Sequence, residues 1–284
     1  MKFPDYIGIG TRRCASSWLH EALYSHPEIG KPRRGLHFFS ENRVKKLEWY
    51  LNELKPYADK KVLIEYSVTY MYPEYCDLVA KTIYDINPDT NIFVVLRNPV
   101  LRAYSDYLRS IRMGEINKNI TFKDAIKQNN LLIKRSRYKN LLQSYYDYFG
   151  DNKIKIFIYE DIVKNNSSFL LEVFEYLGVN NTKNDGMLRF EKEGKSIKHN
   201  SIYKTIKYIN KTITSIFDII GFTLLWSRFK RKFLKYYLSL IEITLRSHKI
   251  KQTDFDELVL IFENDIKFIE SKINRKLSFW RSPI

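Results

Sequence analysis

Hydrophobic positions along the chain alternate between short apolar runs and stretches at helical spacing. Tyr6 to Ile9 reads as a short buried strand, and Ser16 to Ser25 as a helix with Trp18, Leu19, Ala22 and Leu23 on one face. Val44 to Leu54 reads as a second amphipathic helix carrying Trp49 and Tyr50, and Val62 to Glu65 as a second buried strand. Pro73 is expected to open a helix to about Asp85, since proline is tolerated in a first turn. Asn91 to Leu96 is uniformly apolar, as a central parallel strand should be. A helix should follow from Pro99 to about Met113, and another from Tyr138 to Phe149. Ile154 to Tyr159 reads as a fourth strand, followed by a helix from Ser167 to Leu177 that Gly178 stops.

Strands alternating with helices predict an α/β fold with a central, mainly parallel sheet flanked by helices in three layers. Asn180 to Asn200 is polar and loop-like, and the remainder reads as helices at roughly 202–219, 223–247 and 253–274. With no internal repeat or low-complexity linker, residues 1–284 read as one domain: an α/β core over 1–179 and a helical C-terminal part over 180–284. Ligands of such sheets bind at the carboxyl ends of the strands. Arg13, Glu65, Arg97 and Tyr159 all fall at or just after predicted strand ends, which points to one shared site.

The loop between the first strand and first helix carries the clearest chemistry. Gly10 to Ala15 delivers the chain to a helix N-terminus, whose free N–H groups and positive dipole suit a phosphate or sulfate. Arg13 adds charge, and Ser16 and Ser17 add hydroxyl donors. The loop is P-loop-like without being a Walker A sequence, because Ser16 stands where the lysine would be. An ATPase or GTPase is disfavoured.

Composition narrows the ligand further. Lys and Arg total 48 against 32 Asp and Glu, a net charge of +16, which favours an anionic partner. The charge is scattered, and no helix-turn-helix, zinc-finger or RNA-recognition signature accompanies it, so nucleic acid is a disfavoured partner. Two cysteines, Cys14 and Cys76, provide no disulfide framework. Together with the absence of a signal-peptide pattern at Met1–Asp5 and of an apolar run near the ~20 residues that span a bilayer, they imply a cytoplasmic protein. The basic, aromatic stretch over 202–247 would allow peripheral membrane contact. No His/Cys cluster has metal-ligand spacing, so no metal is expected.

Arg13-Cys14-Ala15-Ser16-Ser17-Trp18 resembles the 5′-phosphosulfate loop of sulfotransferases, K-[ST]-G-T-T-[WSA], with arginine for lysine and alanine for glycine. Leu96-Arg97-Asn98-Pro99-Val100-Leu101-Arg102-Ala103-Tyr104-Ser105-Asp106-Tyr107 is similar to their 3′-phosphate element, L-R-[DN]-P-x-x-R-A-x-S-x-[YW]. Arg97 at a strand end can offer a planar fork to a phosphate, and Ser105 lies two turns into the next helix. Tyr159-Glu160-Asp161 looks like the Y-E-D whose tyrosine lies by the adenine. Tyr138 with Leu141 and Leu142 resembles the Y-x-x-x-L helix of glycan-acting and bacterial members. The resemblance runs from about Phe3 to Val179.

This resemblance implies a P-loop-like fold and a 3′-phosphoadenosine 5′-phosphosulfate (PAPS)-dependent sulfotransferase of the heparan-sulfate-sulfotransferase type. It would move a sulfuryl group in line to a hydroxyl or amine of a glycan or small-molecule acceptor, without a metal. The implied nucleotide contacts are Arg12, Arg13, Cys14, Ala15, Ser16, Ser17, Trp18, Arg97, Ser105, Tyr159 and, in a late basic loop, Lys195. Arg13 would stabilise the leaving oxygen as a fixed charge. The acceptor side departs from the pattern: in K-E-x-H-F-F the glutamate slot holds Gly35, and in E-K-[ST]-P-x-Y the lysine slot holds Tyr66. His37 and Glu65 remain as alternative bases for the acceptor proton. The same departures leave open a non-catalytic binding relative.

Overall fold

The computed structural model describes residues 2–32, 34–117, 119–181 and 250–282. Two compact units divide the chain, one of residues 1–103, 131–191 and 252–284, the other of 104–130 and 192–251.

The first unit holds a five-stranded sheet in the order β2-β3-β1-β4-β5, every pair parallel: β1 (Tyr6–Gly8), β2 (Ile29–Gly30), β3 (Val62–Tyr66), β4 (Asn91–Leu96) and β5 (Ile154–Ile158). Ile7 sits level with Glu65 on one side and Ile92 on the other. Beyond β1 the chain stays tied to β4, with Thr11 N–H donating to the Val95 carbonyl and Val95 N–H to that of Gly10. Helices α1 (Ser16–Ser25), α2 (Leu47–Leu54) and α3 (Cys76–Ile86) come from the first half of the chain. The short α6 (Leu131–Lys134), then α7 (Tyr138–Phe149), α8 (Tyr159–Lys164), α9 (Asn166–Tyr176) and the C-terminal α10 (Gln252–Ile273) complete the unit.

Strand alternation sorts the faces. Ile64, Tyr66, Phe93, Val95 and Phe157 form one side of a buried cluster with Leu19 and Leu23 of α1 and Phe169, Leu170 and Val173 of α9. α4 (Pro99–Arg112) leaves the sheet after β4 and crosses into the second unit beyond Ala103. There α5 (Phe122–Gln128) is capped by Thr121, whose side chain accepts the Asp124 N–H, and Tyr104, Tyr107 and Phe122 cluster, Tyr104 edge-on to Phe122.

Three expectations need correction. The sheet has a strand more than the four the pattern predicts: β2 is two residues long, too short to show a period, and Gly30 admits a close approach, since a Cβ there would stand 2.2 Å from the Tyr57 carbonyl. Pro73 does not open a helix. It lies in a turn closed by Tyr75 N–H to the Tyr72 carbonyl, and α3 starts at Cys76. Tyr159 opens α8 rather than ending β5. α1, β4 and α7 have the predicted bounds, and the helix expected over 253–274 is α10. The helices expected over 202–247 lie outside the described residues.

Candidate functional site

The loop after β1 turns sharply into α1. Arg13 (φ 75) and Ala15 (φ 59) both adopt left-handed backbone, and Ala15 occupies the N-cap without a side-chain cap bond. Ser16, Ser17 and Trp18 form the first turn of α1, where backbone N–H groups point out of the helix end. The family's glycine slot is thus a left-handed position, here filled by alanine. Cys14 is turned into the core, fully buried, and burial pushes its thiol up to about 12. Its side chain therefore faces away from any ligand, and what it can offer is its N–H.

Arg97 joins this loop. Its guanidinium carbon lies 4.5 Å over the centre of the Tyr159 ring, and Nη1 donates to the Arg13 carbonyl at 3.3 Å. Its Nε is buried without a hydrogen-bond partner among the described residues. A buried N–H of a permanently charged group is costly to leave unsatisfied, so an anion among these groups fits the chemistry present. Arg12 turns the other way, with Nη1 donating to Tyr72 Oη at 3.1 Å. Trp18 is half-buried, one face against Phe169 with ring centres 6.2 Å apart.

Asn98 caps α4, its Oδ1 accepting from the N–H groups of Val100 and Leu101. Arg102, in the same motif as Arg97, is wholly buried and donates to Ser136 Oγ at 2.5 Å and the Leu132 carbonyl at 2.7 Å. Ser105 is half-buried on α4 and belongs to the second unit. Lys195 lies outside the described residues.

A second cluster forms at the end of β3. Glu65 is wholly buried, with Oε1 accepting from Leu36 N–H at 3.1 Å and Ser67 Oγ at 2.5 Å, and Oε2 has no partner among the described residues. Burial pushes its carboxyl up to about 7, held back by the Ser67 and Leu36 hydrogen bonds and the nearby Lys31 charge. Ser67 Oγ also accepts the backbone N–H of His37 at 2.9 Å, so the two candidate bases share one serine. His37 has left-handed backbone (φ 51), its Nδ1 lies 2.7 Å from Thr69 Oγ1, and burial lowers its pKa, favouring the neutral ring. Lys31, just past β2, is buried, and burial lowers its ammonium to about 8 against the pull of Glu65 and Glu21.

Arg13, Arg97 and Tyr159 are therefore brought together, as are His37 and Glu65. Residues to which pattern reading gave no site role are Lys31, Ser67, Thr69, Tyr72 and Asn98. Of these Asn98 and Ser67 stood in motif slots, and Asn98 was also an N-cap type directly before a helix-opening proline. Among the described residues no group of three or more His, Cys, Asp or Glu could hold a metal ion, and no helix is long and apolar enough to cross a membrane.

Fold and site define a parallel-sheet α/β protein with an arginine-carrying loop between β1 and α1. The sulfotransferase domain model matches residues 3–217, and the chain belongs to that family. It is 31% identical over 162 residues to heparan sulfate glucosamine 3-O-sulfotransferase 5 of Mus musculus and to that of Homo sapiens, covering 55% of this chain and 45% of each relative. The chain thus spans less than half the length of these curated relatives. A sulfotransferase structure from Alicyclobacillus acidocaldarius superposes with a TM-score of 0.66 at 21% identity, covering 99% of this chain and 100% of that one. The sulfotransferase domain from the curacin biosynthetic pathway superposes with a TM-score of 0.50 at 15% identity, over 68% of this chain and 80% of that domain.

Proposed function

We propose that the protein transfers a sulfuryl group from PAPS to a hydroxyl or amine of a carbohydrate-type acceptor. The observation that carries this is the meeting of Arg97, the Arg13 loop and the Tyr159 ring beside the uncapped N-terminus of α1. Arg97 would hold the 3′-phosphate, and Tyr159 and Trp18 would flank the adenine. The N–H groups of the loop from Arg12 to Ser17, with the Arg13 charge, would bind the 5′-phosphosulfate. Catalysis is then positioning plus charge stabilisation. Arg13 remains charged throughout, so it stabilises the bridging oxygen electrostatically and donates no proton.

On the acceptor side Glu65 or His37 takes the proton. Burial pushes Glu65 up to about 7, which suits a base near neutrality, and lowers His37, which favours the neutral ring a base needs. Both cysteines are free and buried, which accords with a reducing, cytoplasmic setting.

Calorimetric titration of adenosine 3′,5′-bisphosphate, the product nucleotide, tests the donor site. Micromolar binding that Arg97→Ala abolishes is expected, and absence of binding to the wild type would sink the reading. A second reading, a nucleotide-binding relative without turnover, is favoured by Gly35 and Tyr66 in the family's glutamate and lysine slots. Nucleotide binding with no transfer of labelled sulfate to any of a panel of glycans would select it.

A further inference from the structure

The short turn Ser278–Arg281 packs against the start of α4, where Asn98 Nδ2 donates to the Trp280 carbonyl. It is firmly held. Leu277 N–H donates to Glu270 Oε1 at 2.7 Å, Arg281 pairs with Glu263 and Glu270 at 2.9 Å each, and Arg275 forms a two-pronged pair with Asp161. These contacts present Trp280, which is fully buried.

Trp280 converges on a single peptide unit, the one between Arg97 and Asn98. The carbonyl of that unit accepts from Tyr138 Oη at 2.7 Å, and its N–H donates to Glu160 Oε1 at 3.0 Å. Glu160 accepts the Trp280 indole N–H on its other oxygen at 3.0 Å. The Tyr138 ring lies 6.2 Å from the indole, and the Trp280 carbonyl accepts from Asn98 Nδ2 at 2.9 Å. Both polar ends of the peptide plane are thus fixed by side chains that Trp280 itself touches. A guanidinium at the end of a long side chain moves widely when its own backbone plane tilts, so this grip sets where Arg97 reaches. The bonds are worth having only if the plane must not rotate: a buried peptide needs one partner at each end, and here the partners are in turn oriented by a third residue 182 positions away in sequence.

We propose that Trp280 is a positioning residue for the anion site: it orients Glu160 and Tyr138 so that the Arg97–Asn98 peptide, and with it the Arg97 guanidinium, is aimed at the 3′-phosphate of the nucleotide. The inference rests on the reading of that site as a nucleotide site. A Trp280 that merely filled space would weaken every ligand of the unit alike. A positioning Trp280 acts selectively on the group that Arg97 holds.

The test is calorimetry on the full chain with two probes, adenosine 3′,5′-bisphosphate and adenosine 5′-monophosphate, which lacks the 3′-phosphate. The wild type should prefer the bisphosphate. Trp280→Phe keeps a ring but loses the indole N–H, and should lose roughly tenfold in affinity for the bisphosphate with little change for the monophosphate. Combined with Arg97→Ala it should leave the affinity for the monophosphate where Arg97→Ala alone puts it. Should Trp280→Phe fail to fold, Glu160→Gln probes the same link, since its amide leaves one acceptor oxygen for two donors. If the folded variants keep the wild-type ratio of the two affinities, or lose both equally, Trp280 is a plug and the proposal is overturned while the nucleotide reading stands. A wild type that shows no preference for the bisphosphate overturns the nucleotide reading, and the role of Trp280 with it.

Discussion

Gly35 and Tyr66 lie against each other: a Cβ on Gly35 would stand 2.6 Å from the Tyr66 carbonyl oxygen and 2.8 Å from Ser67 Oγ. These are two of the positions at which the chain leaves the family's acceptor-side pattern, beside Val68 in the proline slot, and the contact couples them. Tyr66 is itself committed to the fold. Its ring covers Gly8, where a Cβ would meet Cδ2 at 2.2 Å, stacks on His20 at 4.5 Å, and its hydroxyl donates to the Gly10 carbonyl at 3.1 Å. It props the loop between β1 and α1 and cannot act as the lysine would.

Restoring the family's glutamate by Gly35→Glu should therefore fail. The neighbouring atoms are backbone and a hydrogen-bonded serine, with no freedom to yield, so the substitution, like Gly35→Ala, should cost about 1–3 kcal/mol. Urea denaturation measures the loss, and a sulfate-transfer assay should show no gain for Gly35→Glu. A stable, more active variant would mean that the loop can open at this point.

Ala15 poses the opposite case. Its φ of 59 at the N-cap of α1 is a conformation that costs an alanine roughly 1–2 kcal/mol. Ala15→Gly removes that strain but frees the unfolded chain, which returns part of the gain. A net stabilisation of about 0.5–1 kcal/mol is expected from thermal unfolding, with nucleotide affinity kept. Destabilisation would show that the alanine methyl makes packing contacts that outweigh its backbone.

The elements with a clear apolar period or run were legible in the sequence, as α1, β4 and α7 show, and so was the gathering of Arg13, Arg97 and Tyr159 at strand ends. β2 was not, because two residues carry no period. Pro73 misled because a proline marks a turn as readily as a first helical turn, and here Tyr72–Tyr75 is the turn. The hold of Trp280 on Asn98 and the approach of Leu36 to Glu65 join residues far apart in the chain. No local spacing encodes such pairs.

The two arginines of the motif after β4 should behave oppositely. Arg102 is wholly buried and donates to Ser136 and to the Leu132 carbonyl, while Ser136 in turn donates to the Pro99 carbonyl at 2.9 Å. Arg102→Ala strands these acceptors and should cost about 3 kcal/mol or more. Arg97→Ala gives up one long hydrogen bond to the Arg13 carbonyl and should cost about 1 kcal/mol or less, yet abolish binding of adenosine 3′,5′-bisphosphate. Denaturation paired with calorimetry separates the two. Equal losses of stability would contradict the division between a structural and a ligand-facing arginine.

The pH dependence should identify the base. Glu65 ordinarily titrates near 4.5 but is pushed up to about 7 by burial. Between those values the folded protein holds more protons than the unfolded chain, so the contribution of Glu65 to stability is complete at low pH and declines as pH rises to about 7. Lys31, lowered from 10.5 to about 8, has the reverse sign: from about 8 upward the unfolded chain holds the extra proton and stability recovers. Glu65→Gln should flatten the first slope and, by removing a charge that holds the Lys31 ammonium up, start the second at lower pH, as read from urea denaturation across this range. If Glu65 takes the acceptor proton, kcat should climb with pH through about 7 and Glu65→Gln should remove that limb. If His37 does, the limb lies below the ordinary histidine value of 6.5, because burial lowers its pKa, and it vanishes in His37→Gln instead. A rate that climbs near 7 and survives Glu65→Gln would exclude Glu65 as the base and leave it the structural acceptor for Leu36 and Ser67.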